Sequence, residues 1–133
     1  MINQAVAEHC LEITLNYVKE RQVFGKPLSS FQNTQFCLAE LATEIQIGRT
    51  FVDALVMQHM AQHNIVQEVS MAKYWICEMV NRVASRCLQL FGGYGYCSEY
   101  EISRLFVDAR VQTIYAGTSE IMKLIISRGL GLK

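Results

Sequence analysis

The sequence predicts an all-α domain, an antiparallel up-down four-helix bundle with one extra short helix. Apolar residues recur at helical spacing along most of the chain, and no stretch alternates with period two for long enough to form a strand. Residues that break helices are sparse: there is one proline, and of the eight glycines only Gly48 falls inside a periodic segment. The 133 residues predict one domain, spanning residues 1–133, that buries roughly two thirds of its unfolded surface.

The first predicted helix runs from about Ile2 to about Glu20. Two apolar stripes follow it, so we expect it to contact its own bundle on one side and a partner surface on the other. The stripes consist of Ile2, Val6, His9, Ile13 and Tyr17, and of Ala7, Leu11, Leu15 and Val18. The charged segment that follows closes in Gly25-Lys26-Pro27, which predicts a turn.

The second predicted helix begins at a capping box and is long. Ser29 serves as the N-cap, Gln32 follows three residues later, and the apolar period continues to about Gln62. Only a short polar connection separates this helix from the next one. A connection this short predicts that the second and third helices are antiparallel neighbours in the bundle.

The third predicted helix starts with a repeat of the capping signature, formed by Asn64 and Gln67, and ends at Gly92-Gly93. Three glycines lie between aromatic residues in the segment Phe91–Tyr96. This segment cannot be helical throughout, and its glycines indicate a backbone that another group approaches closely. A helix C-terminus with aromatic packing is the alternative interpretation.

A shorter helix is predicted over about residues 102–110, and a last helix over about residues 118–127. Thr118 is placed to cap the last helix, and Glu120 lies in its first turn, where negative charge is favoured. The preceding turn, Tyr115-Ala116-Gly117, leaves backbone N–H groups unpaired at the helix N-terminus. The segment therefore predicts either an anion or oxyanion site or an ordinary capped helix.

The composition excludes several classes of function. Twelve basic and twelve acidic residues cancel, and without a basic patch we expect no nucleic-acid partner and no attraction to a membrane surface. No apolar run approaches the ~18 residues of a membrane span. The five cysteines are odd in number, lack CxxC spacing and follow no signal peptide, so we expect free thiols, a reducing compartment and a protein that is not secreted.

His59 and His63 share a helical face at positions i and i+4, which makes them a candidate metal pair. A di-iron bundle needs two Glu-x-x-His motifs, and the sequence contains none. We interpret the pair as a solvated helix end and expect no metal site. The glycine-rich segment does not fit a dinucleotide fingerprint either, because it ends a helix and no strand precedes it.

Six spaced motifs occur in order along the chain. They are Arg-x-x-Phe-Gly from Arg21, Phe31-Gln32, Gln-x-x-Gly-Gly-x-Gly-Tyr from Gln89, Glu99-Tyr100, Asp108-Ala109-Arg110, and Ile-Tyr-x-Gly-Thr-Ser-Glu-Ile from Ile114. Together they resemble the C-terminal helical domain of the acyl-CoA dehydrogenase family, over essentially the whole chain. The likeness is greatest to the long-chain acyl-CoA dehydrogenase branch, through segments 16–19, 71–75 and 107–112.

The resemblance implies a flavoprotein of fatty-acid or branched-chain oxidation. Family members bind FAD and oxidise the Cα–Cβ bond of an acyl-CoA, as a base removes the α-proton and a hydride passes to the flavin. Contacts to the FAD of a neighbouring subunit, near its pyrophosphate, are implied for Arg21, Phe24 and Gln32. Contacts to the adenine side are implied for Gln89, Gly92 and Gly93. Positions beside the flavin of the subunit's own active site are matched by Thr118 and Glu120, and positions on the substrate side by Tyr115 and Gly117.

The resemblance also implies partners and a location. We expect a homo-oligomer, either a dimer or a tetramer, and electron-transfer flavoprotein as the redox partner. Acyl-CoA is expected to bind only in the context of the full-length enzyme. The expected location is the cytoplasm in a bacterium and the mitochondrial matrix in a eukaryote.

Three departures from the family pattern limit the expected activity. Ala116 occupies the position where many members carry the catalytic Glu, and its methyl group cannot take a proton. In the long-chain branch the base is a Glu on the first helix, which would fall before Met1, and Glu8 and Glu12 lie too far along that helix. Glu101 stands where the family usually has proline.

The N-terminal helical domain and the middle β-domain of the family have no counterpart in these 133 residues. The chain alone is therefore expected to be inactive, with FAD binding left in doubt. The alternative hypothesis is a stand-alone, non-catalytic helical oligomerisation module derived from the same family. The length and branching of the acyl chain are left open, because the acyl pocket lies largely outside this domain.

Overall fold

The computed structural model describes residues 1–132, which form five α-helices and one small hairpin. The elements are α1 (Ile2–Glu20), β1 (Gln22–Val23), β2 (Lys26–Pro27), α2 (Gln32–Met60), α3 (Val66–Phe91), α4 (Glu101–Val111) and α5 (Ser119–Gly129). Short 3-10 segments precede α2 at Leu28–Ser30 and follow α3 at Gly92–Tyr96. The prediction of an all-α fold is confirmed. Among residues 1–132, no helix combines the length and the apolar character needed to cross a membrane.

Side-chain contacts give the direction of α1 relative to α3. Asn3 Nδ2, near the start of α1, donates to Cys77 Sγ, near the middle of α3, at 3.0 Å. Near the end of both, the hydroxyl of Tyr17 donates to the carbonyl oxygen of Phe91 at 3.4 Å. Because the residue numbers rise together in the two contacts, α1 and α3 run in the same direction.

α2 runs opposite to α3, as its short connection to α3 predicts. Arg82 of α3 pairs with Glu44 of α2 at 2.9 Å, and Arg86 pairs with Glu40 at 2.5 Å. The residue numbers rise on one helix as they fall on the other, which is the signature of antiparallel neighbours. These ion pairs are partly exposed, so each contributes only about 0.2–1 kcal/mol to stability.

α5 is the second helix that runs opposite to α3. The hydroxyl of Ser119 donates to Glu78 Oε1 at 2.7 Å, and one turn further along, Lys123 Nζ lies 4.6 Å from the centre of the Tyr74 ring. The bundle therefore consists of α1, α2, α3 and α5, and α4 is the extra short helix. α4 and α5 are equally long, with 11 residues each.

α3 is the central element and packs against all four other helices. Its buried apolar residues recur at every third or fourth position on more than one face, as expected for a helix with neighbours on several sides. The most buried of them are Met79, Val80, Val83, Ala84 and Cys87. Leu41 of α2 and Ile102 of α4 are also fully buried. Burying one such large side chain stabilises the fold by about 1.5–3 kcal/mol before entropy is counted.

α1 and α2 cross at Gly48, the one glycine inside a periodic segment. Gln4 is fully buried at this crossing, and its Nε2 donates to the carbonyl oxygen of Ile45 at 2.8 Å. A Cβ at position 48 would collide with Gln4 Oε1. On the solvent side of the crossing, Arg49 pairs with Glu8 at 2.6 Å, which lowers the pKa of the Glu8 carboxyl.

The capping box predicted at the start of α2 is wrong. The backbone at Phe31 is extended (ψ 128°), so α2 begins at Gln32 rather than just after Ser29. Ser29 lies in the preceding 3-10 segment, which begins directly after β2. The turn predicted at Gly25-Lys26-Pro27 is part of this hairpin, and the two-residue strands are too short to produce a period-two pattern.

The second predicted capping box is also wrong. Ile65 occupies the N-cap position of α3, and Asn64 Oδ1 accepts from the N–H of Val66 at 3.4 Å from one residue further out. At the other end of α3 the chain leaves the α-helix at Gly92, whose φ is 59°. The glycine-rich segment then forms a 3-10 turn at Gly92–Tyr96.

Candidate functional site

Arg21 lies at the junction between α1 and the hairpin. Its extended backbone (φ −65°, ψ 120°) ends α1 and directs the chain into β1. The Arg21 guanidinium lies 5.1 Å from the centre of the Tyr94 ring, a cation–π contact that joins the hairpin to the glycine-rich segment. The residue is exposed, and a planar guanidinium is the side-chain group best suited to a bidentate contact with a diphosphate.

The tip of the hairpin presents Phe24 to solvent. Phe24 and Gly25 both have left-handed backbones, with φ of 49° and 77°, and together they make the tight reversal between the strands. The Phe24 side chain is 92% exposed, and its ring meets only the edge of Phe31, at a centroid distance of 6.4 Å. Gln32, also exposed, follows Phe31 directly. A large apolar side chain held outward by a left-handed turn indicates a contact surface.

Gln89, Gly92 and Gly93 form an exposed strip at the end of α3. An added Cβ at position 93 would meet no atom within 4 Å, so packing inside the chain does not require glycine there. Gly95 is different, because its Cβ would lie 2.6 Å from the carbonyl oxygen of Leu88. The bare backbone at Gly93 is therefore open to an external group.

Stacked aromatic rings support this strip from beneath. The rings of Tyr17 and Phe91 stack with centroids 4.0 Å apart, and those of Tyr94 and Tyr100 stack at 5.2 Å. Burial raises the pKa of the Tyr17 hydroxyl above its ordinary value. The stacking fixes the 3-10 turn against α1 and the start of α4.

The second group of predicted residues lies in the connection between α4 and α5. Ala116 and Gly117 have left-handed backbones, with φ of 52° and 96°. Thr118 caps α5 as predicted, since its Oγ1 accepts from the N–H of Ile121 at 3.3 Å. Glu120 lies in the first turn, and hydrogen bonds from its own backbone N–H and from Thr118 lower the pKa of its carboxyl.

A cleft of about 380 Å³ opens beside this connection. Its lining is mostly polar and consists of Glu78, Asn81, Arg110, Thr113, Ile114, Thr118, Ser119 and Glu120. Tyr115 and Ala116 lie outside it and are exposed, and the Tyr115 hydroxyl donates to Gln112 Oε1 at 2.6 Å. Ala116, at the position where the resemblance places a catalytic Glu in many family members, presents only a methyl group.

The chain brings the predicted residues together in two groups rather than one. Arg21, the hairpin tip and the glycine-rich strip lie at the C-terminal end of α3. Thr118 and Glu120 lie beside the middle of α3, because Ser119 contacts Glu78. At 1.5 Å of rise per residue, the two groups are separated by about 20 Å along α3.

A larger cleft, which contains none of the predicted cofactor or substrate residues, was not predicted from the sequence. It measures about 760 Å³ and lies between the end of α2, the start of α3 and the first residues of α1. Its walls are mostly apolar side chains such as Val52, Leu55 and Ile76, which also form the core. The side chains of His59 and His63 line its rim. Apolar residues at helical spacing line this cleft, and the same spacing is typical of a helix that packs in a core. The sequence therefore did not indicate a cleft here.

A search for three or more potential metal ligands in one place finds none among residues 1–132. The buried thiols behave as core residues, since burial raises the pKa of Cys10 to about 12 and that of Cys87 to about 11. Neither thiol forms a thiolate at neutral pH.

Comparisons with known proteins match the chain to one family. The model of the family described as "Acyl-CoA dehydrogenase, C-terminal domain" matches residues 1–131. The mitochondrial long-chain specific acyl-CoA dehydrogenase of Sus scrofa is 49% identical over 124 residues, which cover 93% of this chain and 29% of that protein. The subunit CarC of the caffeyl-CoA reductase–Etf complex of Acetobacterium woodii is 38% identical over 96% of this chain and 34% of that protein.

A crystal structure of an acyl-CoA dehydrogenase from Geobacillus kaustophilus has the same fold. It superposes with a TM-score of 0.96 and 57% identity, over 98% of this chain and 34% of that one. The chain belongs to the acyl-CoA dehydrogenase family and corresponds to its C-terminal domain, as the sequence motifs predicted. The family is FAD-dependent, and the chain spans about a third of the length of the relatives it matches.

Proposed function

We propose that this chain acts as the C-terminal domain of a flavin-dependent acyl-CoA dehydrogenase, where it contributes FAD contacts and an oligomer interface. The observation that carries the proposal is the bare backbone at Gly93 beside the exposed guanidinium of Arg21. Nothing within the chain requires glycine at position 93, and a diphosphate fits an exposed guanidinium. The donor chemistry present here therefore suits FAD.

Within this proposal each group of residues has its own task. Arg21, Phe24 and Gln32 hold the diphosphate region of an FAD that belongs to a neighbouring copy, and Gln89, Gly92 and Gly93 lie along its adenine side. Thr118 and Glu120 bind beside the flavin of the subunit's own site, with Tyr115 and Gly117 toward the substrate. The bound flavin would accept the hydride from the acyl-CoA. The two groups lie about 20 Å apart along α3.

This chain by itself is proposed to be inactive. Ala116 cannot accept the α-proton of an acyl-CoA, and the 124 matched residues cover only 29% of the long-chain relative. The test combines the purified chain with FAD, an acyl-CoA and an electron acceptor. We expect no turnover above a reaction without protein, and clear turnover would contradict the proposal.

The oligomer interface is assigned to an exposed apolar face on α4, α5 and their connection. Its members are between 43% and 66% exposed: Val107, Val111, Ile114, Ile121 and Leu124. A patch of this kind on a folded domain marks a surface that another protein covers. Family members are oligomeric and some pair with electron-transfer flavoprotein, so a homo-oligomer and that redox partner are the proposed partners. The proposed location is the bacterial cytoplasm or the mitochondrial matrix.

A chimeric protein tests the FAD contacts directly. This chain replaces the matching third of the Geobacillus kaustophilus enzyme, to which it is 57% identical. We expect the chimera to retain FAD, measured by flavin absorbance, and Arg21→Ala to weaken retention by about tenfold or more. Arg128→Ala, an exposed arginine at the end of α5, serves as the matched control and should retain FAD. Equal retention by the Arg21 and Arg128 variants would contradict the assignment.

A non-catalytic oligomerisation module is the second candidate function. The apolar face of α4 and α5 together with Ala116 favours it, because a module of this kind needs an interface and no base. Light scattering of the purified chain and flavin absorbance of the chimera separate the two functions. If the purified chain forms an oligomer and the chimera does not retain FAD, the oligomerisation module is supported. If the chimera retains FAD, the first proposal is supported.

A further inference from the structure

We propose that Lys73, Glu78 and Asn81 of α3 are positioning residues that fix the connection between α4 and α5, and so aim Thr118 and Glu120 at the cofactor. The cofactor part of this inference rests on the proposed function. The anchoring part depends only on the fold. Neither part was predicted from the sequence, in which Lys73 matches a family motif but Glu78 and Asn81 match none.

The connection needs anchoring because its own backbone is strained. Ala116 has a φ of 52° and Gly117 a φ of 96°. A left-handed alanine persists only where its surroundings hold it there. Inside the connection, the N–H of Ser119 donates to the carbonyl oxygen of Thr113 at 3.1 Å. This bond closes the connection on itself but does not attach it to the bundle.

Three hydrogen bonds to side chains of α3 make that attachment. They lie in the last turn of α4, just after α4, and at the start of α5. Asn81 Nδ2 donates to the carbonyl oxygen of Ala109 at 2.8 Å, in the last turn of α4. Lys73 Nζ donates to the carbonyl oxygen of Gln112 at 2.7 Å, just after α4. Carbonyl groups at a helix C-terminus lack intrahelical partners. Lys73 supplies a donor to the Gln112 carbonyl, whereas the Ala109 carbonyl also accepts from the N–H of Gln112, so Asn81 adds a second hydrogen bond there.

The third bond holds the start of α5. Glu78 Oε1 accepts from the Ser119 hydroxyl at 2.7 Å, and Ser119 is 3% exposed. Ser119 is the only buried residue of α5, so this helix N-terminus is attached through a polar contact rather than an apolar side chain. Thr118 precedes Ser119 directly, and Glu120 follows it. Rotation or displacement of Ser119 would therefore turn both candidate cofactor contacts.

Hydrogen exchange of the purified chain tests the anchoring. Glu78→Ala is expected to speed exchange of the amides in residues 113–121 by about tenfold, because local opening no longer breaks a buried bond. Ser119→Ala should give the same change, and the double variant should add little to it. Glu78→Gln keeps an acceptor oxygen and should restore slow exchange. Arg82→Ala, which removes an α2–α3 ion pair elsewhere, is the matched control and should leave these amides unchanged.

FAD binding by the chimera tests the positioning. We expect Glu78→Ala and Lys73→Ala to raise the dissociation constant of FAD by about tenfold and Glu78→Gln to restore it. Unchanged exchange in the Glu78→Ala chain would overturn the anchoring. Faster exchange with unchanged FAD affinity would overturn the positioning role. A wild-type chimera without FAD would overturn the proposed function and the cofactor role with it, while the exchange data decide the anchoring independently.

Discussion

His9 Nε2 lies 2.9 Å from Glu101 Oε1 and joins the middle of α1 to the first residue of α4. Glu12, one turn along α1, lies 3.5 Å from the other ring nitrogen. The resemblance implies proline at this position in most of the family, so we expect this link to be a feature of this chain. The hydrogen bond to Glu101 is the main cause that raises the pKa of His9 above its ordinary value of 6.5.

The raised pKa of His9 predicts a pH-dependent contribution to stability. Since the folded pKa exceeds the unfolded one, the contribution is fully present below about pH 6.5 and is lost as pH rises through the folded pKa. We expect Glu101→Gln to lower the free energy of unfolding by about 0.2–1 kcal/mol more at pH ~5.5 than at pH ~8.5, because both groups are partly exposed. Urea denaturation at both pH values measures this. An equal loss at the two values would refute the ionic link.

The contrast between Gly95 and Gly93 gives a second prediction. A methyl group at position 95 would lie 2.6 Å from the backbone carbonyl of Leu88, which cannot move aside as a side chain could. We expect Gly95→Ala to lower the free energy of unfolding by about 1–3 kcal/mol. Gly93→Ala meets no atom within 4 Å and is the matched control.

Thermal or urea denaturation of both glycine variants measures the contrast. Gly93→Ala should leave stability nearly unchanged in the chain while weakening FAD retention in the chimera. Gly95→Ala as stable as the wild type would show that the 3-10 turn adapts, contrary to the tight packing described here.

Ala116→Gly is expected to leave the chain as stable as before or to stabilise it by up to about 1 kcal/mol. Relief of the left-handed strain at a φ of 52° outweighs the added entropy of glycine in the unfolded chain. Ala39→Gly, at an exposed helical position of α2, is the matched control and should cost about 1 kcal/mol. Urea denaturation compares them, and equal losses in both variants would contradict the strain.

The five cysteines are expected to react with a thiol reagent at very different rates. Cys97 is exposed and Cys37 half-buried, whereas Cys10, Cys77 and Cys87 are buried and burial raises the pKa of all three. At neutral pH we expect Cys97 to be labelled first and the buried three only on unfolding. Mass spectrometry of labelled peptides measures the order, and Cys97→Ser should remove the fast phase. Fast labelling of Cys10 would contradict the packing around it.

Much of the fold follows from local patterns in the sequence. The bounds of α1 and the Thr118 cap agree with the predictions, because apolar period and capping chemistry act within a few residues. The capping box predicted at Ser29 is wrong because a 3-10 segment that includes Ser29 follows the hairpin. The three-residue spacing between Ser29 and Gln32 carries no information about that segment. The strands escaped prediction because each has only two residues.

The site required information that no local pattern holds. The motifs indicated which residues face a cofactor but not that Arg21 meets Tyr94, from an element about seventy residues away along the chain. The anchors Glu78 and Asn81 look like ordinary polar positions of a helix until their partners in the α4–α5 connection are placed beside them. The roles of the individual site residues stay predictions.

The length of α3 between Glu78 and Phe91 determines the distance between the glycine-rich strip and the α4–α5 connection. A substitution on the surface of α3 leaves that distance intact, but one inserted residue between Glu78 and Phe91 would lengthen it by about 1.5 Å and rotate one end by about 100°. The two ends would then face different directions. Insertions and deletions should therefore be tolerated in the connection between α2 and α3 and rejected within this stretch of α3.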